Sequence, residues 1–310
     1  MTSSMVRDDA PGQQAGQGGP AVAPAGPAAV ARPLAQPGLS RAAAGSDHDA
    51  TPHPTIAPRV AHRARVYDYW LGGRDNFAAD RQAGDAAAAA FPGLVHSVRA
   101  SRAFLSRSVR LLAAEAGVTQ FLDIGAGLPT AGSTHEVAQA ADPDALVVYL
   151  DIDPVVFAHG RALLASGPHG NTSYLRADLR DPATIVTEAA RMLDLTQPVA
   201  VVAVSVLQFI PAEADPYEQV AAIMDAMAPG SYLVIGHPGR ELGATAEESL
   251  AGGQSPVDTV VTVRSRAEVN RFFAGLRLLP PGLVRLPAWR PDSAEAAAVP
   301  CPLWGGVGVK

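Results

Sequence analysis

The feature that most constrains the fold is a short apolar run that ends at two closely spaced glycines. Residues 120–124 read QFLDI and are followed by Gly125, Ala126 and Gly127. Glycine tolerates sharp turns and lets a ligand approach the backbone closely. A helix predicted over residues 134–141 would present free N–H groups and a positive dipole end to an anionic group. The segment therefore predicts a strand, a turn and a helix that together receive a nucleotide-like ligand.

Beyond this segment, strand-like and helix-like patterns alternate. Strands are predicted over residues 146–150, 172–176, 199–206 and 231–235, and helices over residues 154–165, 182–193 and 217–227. After residue 236 the pattern loosens into a loop or lid (241–259), a helix (266–276) and two closing strands (277–279 and 304–309). The alternation predicts an α/β fold with a doubly wound, mostly parallel sheet.

The first 118 residues divide into two predicted parts. Residues 1–55 lack Phe, Trp, Tyr and Ile and are predicted to be a disordered tail. Residues 56–118 are predicted to form an N-terminal helical cap, and residues 119–310 the ligand-binding domain. One helix face of the cap carries Val95, Val98, Arg102, Leu105, Val109 and Leu112. Arg102 is the odd member, either a snorkelling side chain or a guanidinium directed at a carboxylate.

Composition argues against several classes of function. The net charge is −6, so no bulk positive field attracts nucleic acid or an anionic membrane. The single cysteine, Cys301, excludes a disulfide framework and a cysteine-based zinc site within one chain, and no metal site is predicted. No apolar run approaches the ~20 residues that a membrane span requires. The N-terminus lacks a signal-peptide layout, so a cytoplasmic location is expected.

Acidic residues follow the next two predicted strands. Asp151 ends the second strand, 26 residues after Gly125, close to the ~20 expected for a ribose-binding acid after such a loop. Asp153 precedes Pro154 and is better placed as the cap of the next helix. Asp178 follows the third strand, within reach of an adenine amino group. Asp151 and Asp178 could each be a strand-end or loop cap instead, but the joint placement of the acids favours an adenosine-binding crevice.

Several motifs together resemble one family. They are ARVYDYWLGGRDNFAADR (residues 64–81), QFLDIGAGLPT, STHEVAQ, VVYLDIDPVV, YLRADLRDP and the closing WGGVGVK. Over roughly residues 57–310 the chain resembles the DUF574 or Methyltransf_19 family, a group of class I, Rossmann-like S-adenosylmethionine-dependent methyltransferases found chiefly in actinobacteria. The resemblance implies S-adenosyl-L-methionine as the cofactor. It also implies a seven-stranded, mostly parallel sheet whose last strand is antiparallel, with an N-terminal helical cap.

The resemblance also implies a set of cofactor-binding residues. Asp123, Gly125, Ala126 and Gly127 would line the methionine part, Asp151 and Ile152 the ribose, Asp178 and Leu179 the adenine, and Ser205, Val206 and Gln208 the end of the fourth strand. The family often has histidine at the position of Gln208. A proton-transfer role is therefore not carried over to that position.

The block at residues 67–76 holds two further candidates for the cofactor site, Tyr67 and Asn76. Its aromatic and charged residues surround Gly72 and Gly73. Such a block is expected either to close over the cofactor and exclude water or to serve as a helix-turn packing element. Arg102 joins these two residues if its guanidinium faces a carboxylate.

Two histidines are the candidates for a catalytic base. His237 follows the fifth predicted strand, and His135 lies in the first turn of the helix after the glycine loop. Either residue could be structural instead. A base is needed only for some acceptors, because methyl transfer from a sulfonium depends mainly on proximity and alignment.

Three functions from different classes are compatible with the sequence. The first is a methyltransferase that acts on an oxygen or nitrogen of a small molecule, with a homodimer as one option for its assembly. No Asn/Asp-Pro-Pro-Tyr motif of amino-methylating nucleic-acid enzymes is present, so nucleic acid is not expected as the acceptor. The second is a catalytically silent S-adenosylmethionine-binding sensor or partner protein. The third, a nicotinamide-dependent oxidoreductase, is disfavoured because Gly125, Gly127 and Thr130 give GxGxxT rather than GxGxxG.

Overall fold

The computed structural model describes residues 57–165, 171–240 and 261–310. The predicted disordered tail and the predicted lid at 241–259 lie outside these residues. The described residues belong to one compact unit, Pro52–Lys310. None of the described helices combines the length and the apolar character that crossing a membrane requires.

One sheet of eight strands occupies the centre of the unit. The strands are β1 (Gln120–Ile124), β2 (Leu146–Asp151), β3 (Thr172–Arg176), β4 (Ala200–Val204), β5 (Tyr232–Pro238), β6 (Arg277–Leu278), β7 (Val284–Arg285) and β8 (Leu303–Val309). Their order is β3-β2-β1-β4-β5-β8-β6, and β7 pairs with β8. Strands β1 to β5 are parallel, whereas β8 runs antiparallel to β5, β6 and β7. This is the Rossmann-like α/β architecture that the sequence predicts.

The sheet contains one strand more than the seven expected. The additional strand, β7, has two residues, which pair with Gly305 and Trp304 of β8. A two-residue strand is too short to produce an alternating pattern, and its pairing depends on a partner distant in the chain. Other element ends differ as well. Strand β4 ends at Val204, two residues before its predicted end, and β5 continues to Pro238, three residues past its predicted end. The helix that begins at residue 266 ends at Arg271 instead of 276.

Nine helices surround the sheet in the described residues. They are α1 (Arg63–Leu71), α2 (Ala78–Ala90), α3 (Leu94–Ala114), α4 (Thr134–Ala141), α5 (Pro154–Ala165), α6 (Pro182–Ala189), α7 (Pro216–Asp225), α8 (Arg266–Arg271) and α9 (Ala294–Ala297). The cap consists of α1, α2 and α3, and Gly93, with a φ of 93°, separates α2 from α3. Ser265 caps α8, because its hydroxyl accepts a hydrogen bond from the Glu268 N–H at 3.3 Å.

Two apolar layers hold the helices against the sheet. On one face Phe104 and Leu112 of α3 pack with Phe121 of β1 and Val202 of β4, and all four are fully buried. On the other face the buried side chains of α6, α7 and α8 cover the alternate positions of the same strands. Because α3 lies across β4, β5 and β8, its N-terminal half is fixed next to the carboxyl end of the sheet.

A buried ion pair organises the cap. The Arg65 guanidinium donates to the Asp80 carboxylate at 2.8 Å, and both side chains are at most 4% exposed. Asp80 also accepts hydrogen bonds from the backbone N–H groups of His62 and Phe77, each at 2.8 Å. A second Arg65 N–H reaches the Val60 carbonyl at 2.7 Å. The pair therefore joins the entry to α1 with the start of α2.

We expect Asp80→Ala to lower the free energy of unfolding by about 3–5 kcal/mol, because it leaves the Arg65 charge buried without its partner. The matched control is Asp85→Ala in the same helix, where an exposed carboxylate accepts one hydrogen bond from the Tyr69 hydroxyl at 2.8 Å. The control is expected to cost less than about 1 kcal/mol. Urea denaturation of both variants measures the difference. Similar costs for the two variants would contradict the role given to the buried pair.

Candidate active site

A cavity of about 1270 Å³ runs along the carboxyl ends of the parallel strands, beneath the cap. The predicted cofactor residues that line it are Tyr67, Arg102, Asp123, Gly125, Ala126, Gly127, Asp151, Ile152, Asp178, Leu179, Ser205, Val206 and Gln208. The structure thus brings together all but one of the residues assigned to the cofactor. Asn76, His135 and His237 are not among the residues that line the cavity.

The glycine turn after β1 approaches the loop after β4 very closely. Gly125 has a φ of 75°, and a Cβ atom at this position would lie 2.3 Å from the Cγ2 atom of Val206. Its N–H donates to the Leu150 carbonyl of β2 at 2.7 Å. Gly127 has a φ of 65°, and no atom lies within 4 Å of the position a Cβ would take. Only glycine at 125 permits this contact, while the backbone at 127 faces open space.

Asp123 lies at the end of β1 and is 5% exposed. The Thr134 hydroxyl, at the start of α4, donates to its carboxylate at 2.6 Å. Burial raises the pKa of Asp123 to about 6, and the Thr134 hydrogen bond and the nearby Arg102 charge oppose this rise. A carboxylate with little solvent and one hydroxyl donor retains capacity for a cationic group of a ligand.

Asp151 links two loops at the end of β2. Its carboxylate accepts hydrogen bonds from the N–H groups of Gly127 and Asp153, both at 3.0 Å. Burial raises the pKa of Asp151, and these two backbone donors oppose the rise. Two N–H donors fix the carboxylate, yet each of its oxygens keeps a further lone pair for a hydroxyl donor.

The neighbouring Asp153 has the structural role that the sequence predicts. Its carboxylate accepts from the Val155 N–H at 2.9 Å and therefore caps α5. It also lies 3.0 Å from Nε2 of His62, just before α1. This contact connects the cap to the loop after β2 and so to one wall of the cavity.

The end of the cavity beyond β3 is lined by Asp178 and Leu179. The Asp178 carboxylate is held by the guanidinium of Arg180, with Nε within 3.0 Å of both oxygens. This hydrogen-bonded pair lowers the pKa of Asp178. Arg180 also lines the cavity. This was not predicted from the sequence, although an arginine two residues after Asp178 is close enough in the chain to pair with its carboxylate. Ile152 is 43% exposed and offers an apolar surface at the same end.

Tyr67, Arg102 and Ser205 meet where the cap covers the centre of the cavity. Burial raises the pKa of the Tyr67 phenol, and the Arg102 charge and the Ser205 hydroxyl oppose the rise. Ser205 has a φ of 59°, and its hydroxyl donates to the Ser101 hydroxyl of α3 at 3.0 Å. A non-glycine residue in the left-handed region is uncommon and clusters at functional sites. Nε of Arg102 is buried and has no hydrogen-bond partner among the described residues.

Asn76 acts within the cap instead. Its amide nitrogen donates to the Asp68 carboxylate at 2.9 Å and to the Gly73 carbonyl at 3.0 Å. Asp68 also accepts from the Asp75 N–H at 2.9 Å and fills the space that a Cβ at Gly73 would need. The 67–76 block therefore combines both expectations: Tyr67 faces the cavity, and Asn76 fastens a packed turn. The cofactor contact assigned to Asn76 has no basis in this geometry.

His237 is fully buried behind the cavity wall. Its Nδ1 lies 2.9 Å from the Pro238 carbonyl, and its Nε2 lies 2.6 Å from Nη1 of Arg264. Arg264 in turn donates to the carbonyls of Leu207 and Ile210. Burial lowers the pKa of His237 to about 3. The ring therefore accepts from Arg264 and supports the loop that carries Gln208, so the geometry gives no support to a catalytic role.

His135 is likewise placed away from the cavity. Its Nδ1 is 2.9 Å from the Tyr149 hydroxyl, and the same hydroxyl accepts from the His135 N–H at 2.8 Å. Tyr149 stacks on Tyr174, with ring centroids 4.7 Å apart. These contacts give His135 a packing role between α4 and β2 and place no proton acceptor at the cavity.

Other residues that line the cavity were not found from the sequence. They include Phe91 after α2, Leu94, Ser97, Val98 and Ser101 of α3, Arg285 of β7, and Pro300, Cys301, Pro302 and Leu303 before and at the start of β8. They come from segments about 200 positions apart in the chain. No local sequence motif indicates that segments so distant in the chain line the same cavity. The apolar stripe of α3 did give a sequence signal, because two of its members, Val98 and Leu105, line the cavity.

The fold and the cavity agree with comparisons to known proteins. Residues 49–310 match a family described as S-adenosyl methyltransferase. The chain is similar to a DUF574 family protein from Streptomyces avermitilis, with 39% identity and a TM-score of 0.75 over 81% of this chain and 98% of that one. It is also similar to a candidate methyltransferase from Thermobifida fusca, with 40% identity and a TM-score of 0.76 over 84% and 99% of the two chains. No curated protein matches the chain.

Burial of neutral His237 predicts a specific pH dependence of stability. The histidine is protonated in the unfolded chain below its ordinary pKa near 6.5 but stays neutral in the folded protein down to about 3. Stability is therefore lost as pH falls from 6.5 towards 3, by at most about 1.4 kcal/mol per pH unit for one proton. Between pH 6.5 and 5, the slope of the unfolding free energy against pH reports how many protons the chain takes up on unfolding. We expect this number to be smaller by up to one in His237→Asn than in the wild type. The control, His96→Asn at an exposed position, should keep the wild-type slope. Equal slopes for wild type and His237→Asn would refute the assignment.

Proposed function

The chain belongs to the S-adenosyl methyltransferase family, and from this premise we propose that it transfers a methyl group from S-adenosylmethionine to an oxygen or nitrogen of a small molecule in the cytoplasm. The net charge of −6 favours a small molecule over nucleic acid as the acceptor. Assembly as a homodimer remains part of the proposal.

The observation that carries the proposal is the set of acids and glycines along one cavity. Asp123, Asp151 and Asp178 stand at or just after the ends of three adjacent strands, and Gly125 and Gly127 turn between the first two. Ligands of open α/β sheets bind at this edge. These groups suit an adenosine that carries an amino acid. Protein carboxylates can accept from the ribose hydroxyls and from the ammonium of the ligand. An apolar surface can pack against the base, and a guanidinium can bind the ligand's carboxylate.

Each residue has a defined task in this proposal. Asp151, held by two N–H donors, accepts hydrogen bonds from the ribose hydroxyls. Ile152 and Leu179 pack against the adenine. Asp123 binds the ammonium of the methionine part, and Arg102 binds its carboxylate through charge-assisted hydrogen bonds.

For methyl transfer, the protein mainly has to align the acceptor atom with the methyl group of the cofactor. When bound, the cofactor would supply a methyl group on a positively charged sulfur. A lone pair of the acceptor forms the new bond to the methyl carbon, and the sulfur keeps the electron pair of the C–S bond that breaks. The cap, through Tyr67, excludes water and holds the acceptor in line. The proposal assigns no base to His135 or His237. A proton released by the acceptor passes to solvent.

A silent cofactor-binding protein is the second candidate. It is favoured by one observation: no histidine is among the described residues that line the cavity. The two candidates predict the same ligand affinities and differ in turnover. The nicotinamide-dependent oxidoreductase is not proposed further, because the family membership points to a different cofactor.

Calorimetric titration of the full chain with S-adenosylhomocysteine, S-adenosylmethionine and NAD tests the proposal. We expect both sulfur ligands to bind with a 1:1 stoichiometry and NAD to give no heat of binding. Tight binding of NAD without either sulfur ligand would overturn the proposal. Transfer of a labelled methyl group from S-adenosylmethionine to compounds of a metabolite extract then distinguishes the enzyme from the silent binder.

Arg102→Ala tests the orientation of the cofactor. We expect about 10- to 100-fold weaker binding of S-adenosylhomocysteine, from the loss of a hydrogen bond to a charged group. Binding of 5′-methylthioadenosine, which lacks the amino-acid carboxylate, should be unchanged. Arg99→Ala, at an exposed position of the same helix, is the control and should leave both affinities unchanged. Equal losses for the two ligands would show that Arg102 supports the fold rather than the carboxylate.

A further inference from the structure

The cavity is larger than a pocket for one small molecule. Its volume of about 1270 Å³ exceeds the range of about 300–1000 Å³ typical of such a pocket. Most of the residues assigned to the cofactor lie at the ends of β1 to β4, whereas the cap adds lining residues from all three of its helices. A methyl acceptor must lie beside the cofactor for in-line transfer, so the cap side of the cavity is available to contact it.

Two aromatic side chains of α1 line the cavity. Tyr67 and Trp70 are three residues apart, which puts them on the same face of the helix, about 4.5 Å apart along its axis. Burial raises the pKa of Tyr67, and the charges of Arg102 and Asp123 also act on its phenol. These two charged residues are the ones assigned to the amino-acid part of the cofactor. Trp70 therefore lies one helical turn from the proposed cofactor site.

The indole of Trp70 is fixed by the neighbouring helix. Its Nε1 donates to the Gly84 carbonyl of α2 at 3.1 Å. A Cβ at Gly84 would lie 2.8 Å from Cδ1 of Tyr69 and 3.1 Å from Nε1 of Trp70, so α1 and α2 are in close contact at this point. The hydrogen bond satisfies the polar edge of the indole and leaves its apolar rings for packing. A side chain that is already oriented loses less entropy when a ligand binds.

The end of α2 and the start of α3 continue this side of the cavity. Ala87 and Ala90 line it from α2, and Phe91 and Leu94 line it from the turn into α3. Alanine is small, so α2 leaves space in front of its backbone at these two positions. Phe91 and Leu94 border the space with larger apolar side chains.

The aromatic rings of the cap differ from those of the core in their exposure. Phe104 and Trp289 are fully buried against each other, with ring centroids 5.3 Å apart. Tyr67, Trp70 and Phe91 line the cavity and are only partly buried. A molecule that packs on these three side chains would remove their remaining apolar surface from water. A planar aromatic molecule gains further, because ring–ring contacts are favourable beyond the area that they bury.

We infer that the side of the cavity lined by Tyr67, Trp70 and Phe91, here called the aromatic wall, binds the methyl acceptor, and that the acceptor is a planar aromatic compound. The inference rests on the proposed function, because it assigns the strand ends to the cofactor. It narrows the acceptor from any small molecule with an oxygen or nitrogen to compounds that carry this atom on an aromatic framework.

Two probes with the same carbon skeleton test the class of acceptor. 2-Naphthol is planar and aromatic, whereas decahydro-2-naphthol is saturated, and each carries one hydroxyl group. Each probe is titrated by ligand-observed NMR into the full chain saturated with S-adenosylhomocysteine. We expect 2-naphthol to bind at millimolar or lower concentration, about 3- to 10-fold more tightly than the saturated probe. Binding of the saturated probe as tight as that of 2-naphthol, or no binding of 2-naphthol, would overturn the inferred class.

Removal of one ring tests whether the aromatic wall causes the preference. In Trp70→Leu we expect the preference for 2-naphthol to fall to within about twofold, because leucine is apolar but has no ring. Trp70→Phe should retain the preference, and both variants should bind S-adenosylhomocysteine within about twofold of the wild type. If Trp70→Leu does not fold, Phe91→Leu provides the same test. An undiminished preference in the folded leucine variant would overturn the inference.

A pair of matched variants locates the site. Ala87→Leu fills the space in front of α2 and is expected to weaken 2-naphthol binding at least about fivefold, with S-adenosylhomocysteine affinity within about twofold. The control is Ala83→Leu, one turn earlier in the same helix. Both alanines are buried, at 5% and 8% exposure, but Ala83 is not among the described residues that line the cavity. The control should leave both affinities unchanged.

If Ala87→Leu does not fold, Ala90→Gln replaces it, and Ala89→Gln is then the control, since both positions are exposed and Ala90 is the one that lines the cavity. Unchanged 2-naphthol binding in a folded blocking variant, or displacement of S-adenosylhomocysteine by 2-naphthol, would overturn the location. Failure of the wild type to bind S-adenosylhomocysteine would instead refute the proposed function.

Discussion

The carboxylate of Asp151 is the contact on which the cavity depends most. It joins the glycine turn after β1 to the loop after β2 through two backbone N–H groups. The same turn can lie against Val206 of the loop after β4 because residue 125 is glycine. Three loops from three adjacent strands are thus fixed to one another, and the cofactor side chains they carry have little freedom to move apart.

The cap is fastened to this arrangement by buried polar contacts rather than by apolar packing alone. Asp80 with Arg65, and Asp68 with the turn at Gly73, determine the internal shape of the cap. His62 and Asp153 connect it to the loop after β2. An uncompensated polar group in any of these places would be costly. The contacts therefore specify one position of α1 over the cavity, with Tyr67 directed towards it.

The sequence predicted the elements whose boundaries have a local chemical signal. The bounds of β1, β3, α4 and α5 agree with the structure. For β1, α4 and α5, glycine, proline or a capping residue marks at least one end. The strand β7 gave no such signal. Among the site residues, Asp151 and Asp178 were predicted from their positions at strand ends, which the topology of a parallel sheet converts into proximity. The assignments of Ser205, Val206 and Gln208 came from the resemblance to the family.

The assignments that lacked a geometric basis concern residues whose role depends on side-chain burial. His237 follows a strand, as a cavity residue would, but its ring points into the layer beside Phe272 and Arg264. Asn76 lies in the expected block but faces Asp68. The cavity residues at the start of α3 and the start of β8 were not predictable from the sequence, because these two segments meet only in the folded chain.

The most direct test of the account is a crystal structure of the full chain with S-adenosylhomocysteine. The account predicts the ribose hydroxyls within hydrogen-bond distance of the Asp151 carboxylate, the adenine against Ile152 and Leu179, and the amino-acid carboxylate at Arg102. A cofactor bound in the reverse direction, or with its adenine at Cys301 and Leu303, would contradict the cofactor assignments.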